Sequence, residues 1–151
     1  MNVNYEDRDT YGMYKAKPNA NVGPGPDARR GPGPDLMGAD TLVGNDVCNQ
    51  KGEDVGDIKE IMLDMRNGKV GYAVLSFGGF LGMGEKLFAV PWGALTLDTK
   101  YKRFVLNVEK DRLKNAPGFD KDHWPDMADQ SWAREIHSYY GIKPPSDGAR
   151  A

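Results

Sequence analysis

Asp120, Asp122 and Asp126 surround His123 and Trp124 in one short stretch, the most ligand-dense part of the chain. A divalent cation is what such a cluster could hold, but the spacing argues against it. In a calcium-binding EF-hand loop, Trp124 and Pro125 would stand where an oxygen ligand and the turn glycine belong, and no Glu falls at the final ligand position. Zinc prefers Cys and His, and the second imidazole, His137, belongs to a separate segment. These Asp residues are read as turn and cap formers, and no metal ligand is assigned. Nucleophilic chemistry fares no better. Val74-Leu75-Ser76-Phe77-Gly78 has the Ser and second Gly of a nucleophile elbow, but Val74 replaces the first Gly and Ser76 falls inside an apolar run. GFLGMGEK over 79–86 has the glycines of a phosphate loop, yet Glu85 stands where the motif needs Lys. Cys48 has no basic cluster nearby to lower its pKa and reads as a small buried residue. No catalytic residue and no cofactor is assigned, and the chain is expected not to be an enzyme.

Binding chemistry leaves one further candidate. Lys100, Lys102, Arg103, Lys110, Arg112 and Lys114 form the only local basic enrichment, and Asp98, Glu109 and Asp111 are interleaved with them. The whole chain carries 20 Lys and Arg against 22 Asp and Glu, a net charge of −2, so no general pull toward nucleic acid exists. A contact with RNA is therefore the minority reading of this run, beside a solvated charged face.

The elements that must carry these residues fall into three regions. Residues 1–40 contain Gly23-Pro24-Gly25-Pro26 and Gly31-Pro32-Gly33-Pro34, where Pro removes amide donors and Gly adds backbone entropy. They are expected to be an extended or disordered leader, with residues 1 to about 35 dispensable for folding, while Tyr5, Tyr11, Met13 and Tyr14 leave open the docking of part of it on the folded body.

Residues 41–115 read as β structure. Asn67-Gly68 lies between the runs 58–65 and 70–77 and signals a two-residue type I′ hairpin. That turn would set Met65 opposite Val70, Leu63 opposite Tyr72 and Ile61 opposite Val74 on one face. Ile58, Met62, Ala73, Leu75 and Phe77 would share the other, so both faces are apolar and the second needs a cover. Further runs at 46–48, 86–90, 95–98 and 103–108 bring the count to five or six strands, the spacing of a small barrel or curled sheet. A helical turn is expected within 109–115, before Pro117-Gly118 stops it. In 116–151, a helix over about 129–140 has Asp129 or Ser131 as N-cap and Gly141 as its stop. Its stripe of Trp132, Ile136 and Tyr139 or Tyr140 must pack on something, and the second hairpin face, in the same chain or a neighbour, is the expected partner.

At 151 residues the chain is one domain's worth. Its single Cys rules out an internal disulfide and fits a reducing compartment. No apolar run is long enough to span a bilayer, and MNVNYEDRDTYG lacks the basic-then-apolar order of a signal peptide. A soluble, cytoplasmic protein is expected.

Leu42-Val43-Gly44-Asn45-Asp46-Val47, 52–58 (GEDVGDI), Asn67-Gly68-Lys69-Val70, 73–79 (AVLSFGG) and 88–95 (FAVPWGAL) together resemble the PRC-barrel family. That family takes its name from the photosynthetic reaction centre H subunit and also supplies a domain of a ribosome maturation factor. The segment 117–125 (PGFDKDHWP), with Trp132 and Tyr139-Tyr140-Gly141, resembles a stand-alone bacterial subgroup with a C-terminal helical extension. The resemblance implies a mainly β chain: a small, bent antiparallel β-barrel used for assembly and protein contact, with no catalytic residues to carry over. The functional expectation is a non-enzymatic interaction module acting as a homodimer or small homo-oligomer, with a further protein partner unidentified. Its contact surface is expected at Phe80, Leu81 and Met83 and on the helix at Trp132, Ile136 and Tyr139. The alternative is an RNA- or ribosome-associated accessory protein.

Overall fold

A computed structural model describes residues 9, 11–14, 33–77 and 86–144. Six strands form in chain order: β1 (Asp46–Cys48), β2 (Asp54–Asp64), β3 (Lys69–Phe77), β4 (Lys86–Pro91), β5 (Leu95–Asp98) and β6 (Arg103–Leu106). They make one curled sheet in the order β4-β3-β2-β1-β6-β5. All pairings are antiparallel except β1 with β6, which run parallel, Val47 against Phe104 and Cys48 against Val105. The antiparallel barrel that the resemblance implies holds for every pair of strands but this one seam. Because β6 returns to β1 only after four intervening strands, its direction is set by tertiary closure and not by a local turn.

The hairpin register also differs from the two-residue turn. Asp64 pairs with Lys69, and residues 65–68 form a four-residue loop. The Asp64 carbonyl accepts from Gly68 N at 2.8 Å, while its carboxylate accepts from the Arg66 amide at 2.9 Å. These bonds offer the chain a longer closure than the Asn-Gly pair alone would select. Leu63 consequently sits opposite Val70, Met62 opposite Tyr72 and Ile61 opposite Ala73, with irregularities between Ile58 and Glu60 and between Met62 and Leu63. Extra residues of this kind bend and twist a strand, and they curl β2 around its own core.

That curl brings Gly56 against the next strand. Its φ is +120°, and a Cβ built there would lie 2.5 Å from the Ser76 carbonyl oxygen. Gly56→Ala is expected to cost about 2 kcal/mol or more, through backbone strain and a contact that no rotamer relieves. Urea denaturation would read this as a lower midpoint at unchanged slope.

The inner face of the curl is the main core. Ala73, Leu75 and Phe77 of β3 meet Ile58, Phe88, Val90, Phe104 and Leu106, all buried. Helix α1 (Ala39–Leu42) adds Leu42, and α2 (Lys110–Lys114) caps one side with Leu113, which is fully buried. The core also takes a residue from the stretch read as a free leader. Tyr14 is only 3% exposed within this cluster, and its hydroxyl accepts a hydrogen bond from Asn45 Nδ2. Nearby, the Asp9 carboxylate lies 4.0 Å from Lys102 Nζ, and Met13 Sδ accepts from Gly38 N at 3.1 Å. The expectation of a leader independent of the barrel thus does not hold for residues 9 and 11–14: of their two tyrosines, Tyr14 fills a place in the core and Tyr11 stays exposed.

Helix α3 (Gln130–Tyr139) has Asp129 as its N-cap, whose carboxylate accepts from Ser131 N at 3.1 Å. At its end Gly141 has φ +71°, Ile142 N donates to His137 O at 2.9 Å and Gly141 N to Ser138 O at 3.1 Å. This paired closure is the Schellman arrangement, which requires a left-handed residue best supplied by Gly. The helix lies on the outer face of the sheet, where Ile136 and Trp132 meet Tyr72, Ala89 and Met62. The face it covers is therefore the Tyr72 face. Ala73, Leu75 and Phe77, which the two-residue turn had placed under a cover, instead point into the curl. Among the described residues no helix is long and apolar enough to cross a membrane.

Candidate functional site

The Asp-rich stretch is spent on its own backbone. Asp120 Oδ1 accepts from Asp122 N at 2.9 Å and meets His123 Nδ1 at 2.8 Å, and Asp126 Oδ1 accepts from Ala128 N at 3.0 Å. The hydrogen bond from His123 holds the Asp120 carboxyl below the usual carboxylate range. These are turn and cap geometries that lead the chain into α3.

The basic run is likewise engaged locally. Arg103 Nε bonds Asp98 Oδ2 at 3.1 Å and its guanidinium lies over the Tyr101 ring. Arg112 stacks 4.1 Å over Tyr139 and donates to the Tyr139 carbonyl at 2.6 Å, while the Tyr139 hydroxyl donates to Arg112 O at 2.6 Å. That reciprocal clasp ties α2 to α3.

Of the residues expected to form a contact surface, Phe80, Leu81 and Met83 lie outside the described residues. Ile136 is 1% exposed and packs on its own sheet, so it is not part of any free surface. Trp132 is half-buried, its ring 5.2 Å from Tyr72, and Tyr139 is half-buried in the clasp. The helix stripe is thus an internal contact. Its apolar residues satisfy the demand that the hairpin's outer face created.

Two features were not visible in the sequence pattern. The hairpin end carries Leu63, 52% exposed, and Met65, 85% exposed, beside the bidentate pair of Arg66 with Asp64 at 2.9 and 3.0 Å. Between that hairpin end, the 3-10 turn Trp92–Ala94 and α3 lies a groove of about 640 Å³. Tyr72 and His137 line it, their rings edge-on at 5.5 Å. Burial pushes the Tyr72 phenol above its ordinary pKa. His137 donates through Nδ1 to Ala133 O at 2.7 Å, which fixes its tautomer when neutral. Only the four-residue loop turns Met65 outward, and the groove draws on residues scattered from 64 to 144.

The curled sheet, with α1 at its entry and α2 at its close, is what a family model recognises: the PRC-barrel domain model matches residues 34–113. The chain belongs to the PRC-barrel family. No curated protein matches the chain. The PRC-barrel match ends at Leu113, so α3, which covers the outer face of this PRC barrel, is an addition outside the matched domain. Its start at residue 34 brings α1 into the domain, ahead of the boundary at 41 that the sequence suggested. Ser76 is a buried β3 residue, in register with Asp57 on one side and Leu87 on the other. Cys48 is a buried free thiol.

Where the added helix joins the PRC barrel, Tyr140 is left with a hydroxyl that makes no hydrogen bond to any described residue. Burial raises its pKa well above the ordinary phenol value, and the neighbouring Tyr139 adds to this. Tyr140→Phe is expected to leave stability at neutral pH unchanged or to raise it by up to about 1 kcal/mol, since an unsatisfied polar atom is removed. A folded-state pKa above the unfolded one means stability is intact below the unfolded value of ~10 and falls as pH rises past it. The alkaline loss should therefore shrink in Tyr140→Phe, as melting curves across that range would report.

Proposed function

We propose that the chain is a non-enzymatic protein-contact module that self-associates as a homodimer or small homo-oligomer through the projecting end of the β2–β3 hairpin. The observation that carries this reading is the pair of large apolar side chains at that end, Leu63 and Met65, exposed two positions apart, whereas the other exposed large hydrophobics among the described residues, Tyr11, Leu36, Tyr101 and Trp124, are scattered over loops. Each would contribute about 1.5 to 3 kcal/mol if fully buried by a partner, and Asp64 with Arg66 supplies the polar rim usual around such a contact. Strand β5 lends support, since it ends the sheet and pairs on one side only, with β6. Membership of a family of contact modules agrees with this reading, and the buried free Cys48 suits a reducing, cytoplasmic setting. RNA association has less support, because Arg103 and Arg112 in the basic run are engaged with the protein's own groups.

Sedimentation velocity on the parent and on a Leu63→Glu, Met65→Glu variant tests the proposal. The parent is expected to associate at micromolar concentration with little dependence on salt, and the variant to be monomeric with a melting temperature close to the parent's. A parent that stays monomeric, or a variant that associates as the parent does, contradicts it.

A further inference from the structure

The groove between the hairpin end and α3 combines apolar walls with uncompensated positive charge. Val70, Trp92, Met127 and Ile142 supply apolar wall, and Lys69, Arg134 and Lys143 stand on the same lining. Among the described residues, the charged groups of these three side chains make no hydrogen bond or ion pair. The only carboxylate on the lining is Asp64, which is matched by Arg66, so the groove carries a local surplus of about three positive charges. Its polar floor is built of buried side chains. Tyr72 is 9% exposed and its hydroxyl makes no hydrogen bond to any described residue, and His137 is 6% exposed with Nδ1 already committed to Ala133.

The three cations are exposed and hydrated, so the cleft is stable as it stands, but their convergence beside an apolar wall, over a phenol with no hydrogen bond to a described residue, suits an amphiphilic anion better than an uncharged ligand. A volume of about 640 Å³ falls within the ~300 to 1,000 Å³ of ordinary small-molecule sites. The geometry points to a binding site for a small organic anion with an aromatic or alkyl body, such as an aryl sulfonate or a medium-chain carboxylate. The body lies against Trp92, Val70 and Met127, and the anionic head faces Arg134, Lys143 and Lys69 with the Tyr72 hydroxyl as a further donor. The lining shares Asp64 and Arg66 with the rim of the proposed subunit contact, but Leu63 and Met65, the apolar pair of that contact, are not on it.

The test is titration of the full chain with 1-anilinonaphthalene-8-sulfonate by fluorescence and calorimetry, with uncharged N-phenyl-1-naphthylamine as the comparison probe. One sulfonate per chain is expected, binding in the micromolar range, displaceable by decanoate and at least about tenfold tighter than the uncharged probe. Arg134→Glu with Lys143→Glu, both solvent-exposed changes, should weaken sulfonate binding at least about tenfold and leave the uncharged probe unaffected. A neutral Leu63→Ser, Met65→Ser hairpin-end variant, which adds no charge beside the groove, should bind as the parent does, which separates this site from the proposed subunit contact. Non-saturating or multiple binding, equal affinity for the two probes, equal affinity in the charge-reversed variant, or loss of binding in the hairpin-end variant would each overturn the assignment.

Discussion

Ile136→Ala is expected to lower the stability of the chain by about 3 kcal/mol, within the ~2 to 5 kcal/mol seen for large aliphatic truncations in rigid surroundings. Ile136 is 1% exposed and sits between the outer face of the sheet, at Tyr72 and Ala89, and the remainder of α3. The strand side cannot collapse into the space, because Ala89 and Tyr72 are held in register by the β3–β4 ladder. The helix side cannot settle closer without breaking the Arg112–Tyr139 clasp. Much of the cavity should therefore persist. Trp132→Ala should cost less, about 2 kcal/mol, since the ring is only half-buried and its loss is partly made good by water. Urea denaturation of both variants checks the order, and an Ile136→Ala loss below about 1 kcal/mol would mean that α3 does not cover the sheet. Because the contact is within one chain, neither substitution should alter the oligomeric state.

Tyr14→Ala is expected to cost about 3 to 5 kcal/mol, the range for aromatic truncation in a core. The ring is 3% exposed among the barrel residues, and its hydroxyl takes the hydrogen bond from Asn45 Nδ2. Asn45 is itself 2% exposed and its Oδ1 has no partner among the described residues, so removing the phenol would leave its Nδ2 unsatisfied as well as opening a cavity. Tyr14→Phe isolates the polar share and should cost about 1 kcal/mol. At ~2 to 4 °C per kcal/mol for a chain of this size, deletion of residues 1–35 should lower the melting temperature by about 8 °C or more. A truncated chain that melts with the parent would show that the segment is a tether after all.

How far the fold was legible follows from where its determinants lie. Strands β4, β5 and β6 were readable because short apolar runs are cut by Pro91 and by the turn at Asp98, whose carboxylate accepts from Lys100 N at 3.1 Å. Helix α3 was readable because its stripe, its cap at Asp129 and its stop at Gly141 are all local. The hairpin register was not, because the preference of Asn67-Gly68 competed with the Asp64 carboxylate one loop-length away, and the irregularities in β2 answer to packing on both faces. The parallel seam between β1 and β6 and the burial of Tyr14 are long-range outcomes: Tyr5, Tyr11, Met13 and Tyr14 signalled that the segment could dock, but their spacing carries no periodicity that says which side chain is buried. The groove had no motif to find, since its cations and aromatics come from the hairpin, the 3-10 turn and α3.

The central claim is that α3 and residues 11–14 close on their own barrel, which leaves the hairpin end as the surface offered to a second copy. Hydrogen–deuterium exchange with peptide-level mass spectrometry, run at two protein concentrations a hundredfold apart, tests it most directly. Amides of α3 and of residues 11–14 should be protected equally at both concentrations, while those of residues 63–68 should gain protection only at the higher one. Protection of α3 that appears only at the higher concentration, together with a hairpin end that is unchanged, would place the helix across subunits and contradict the account.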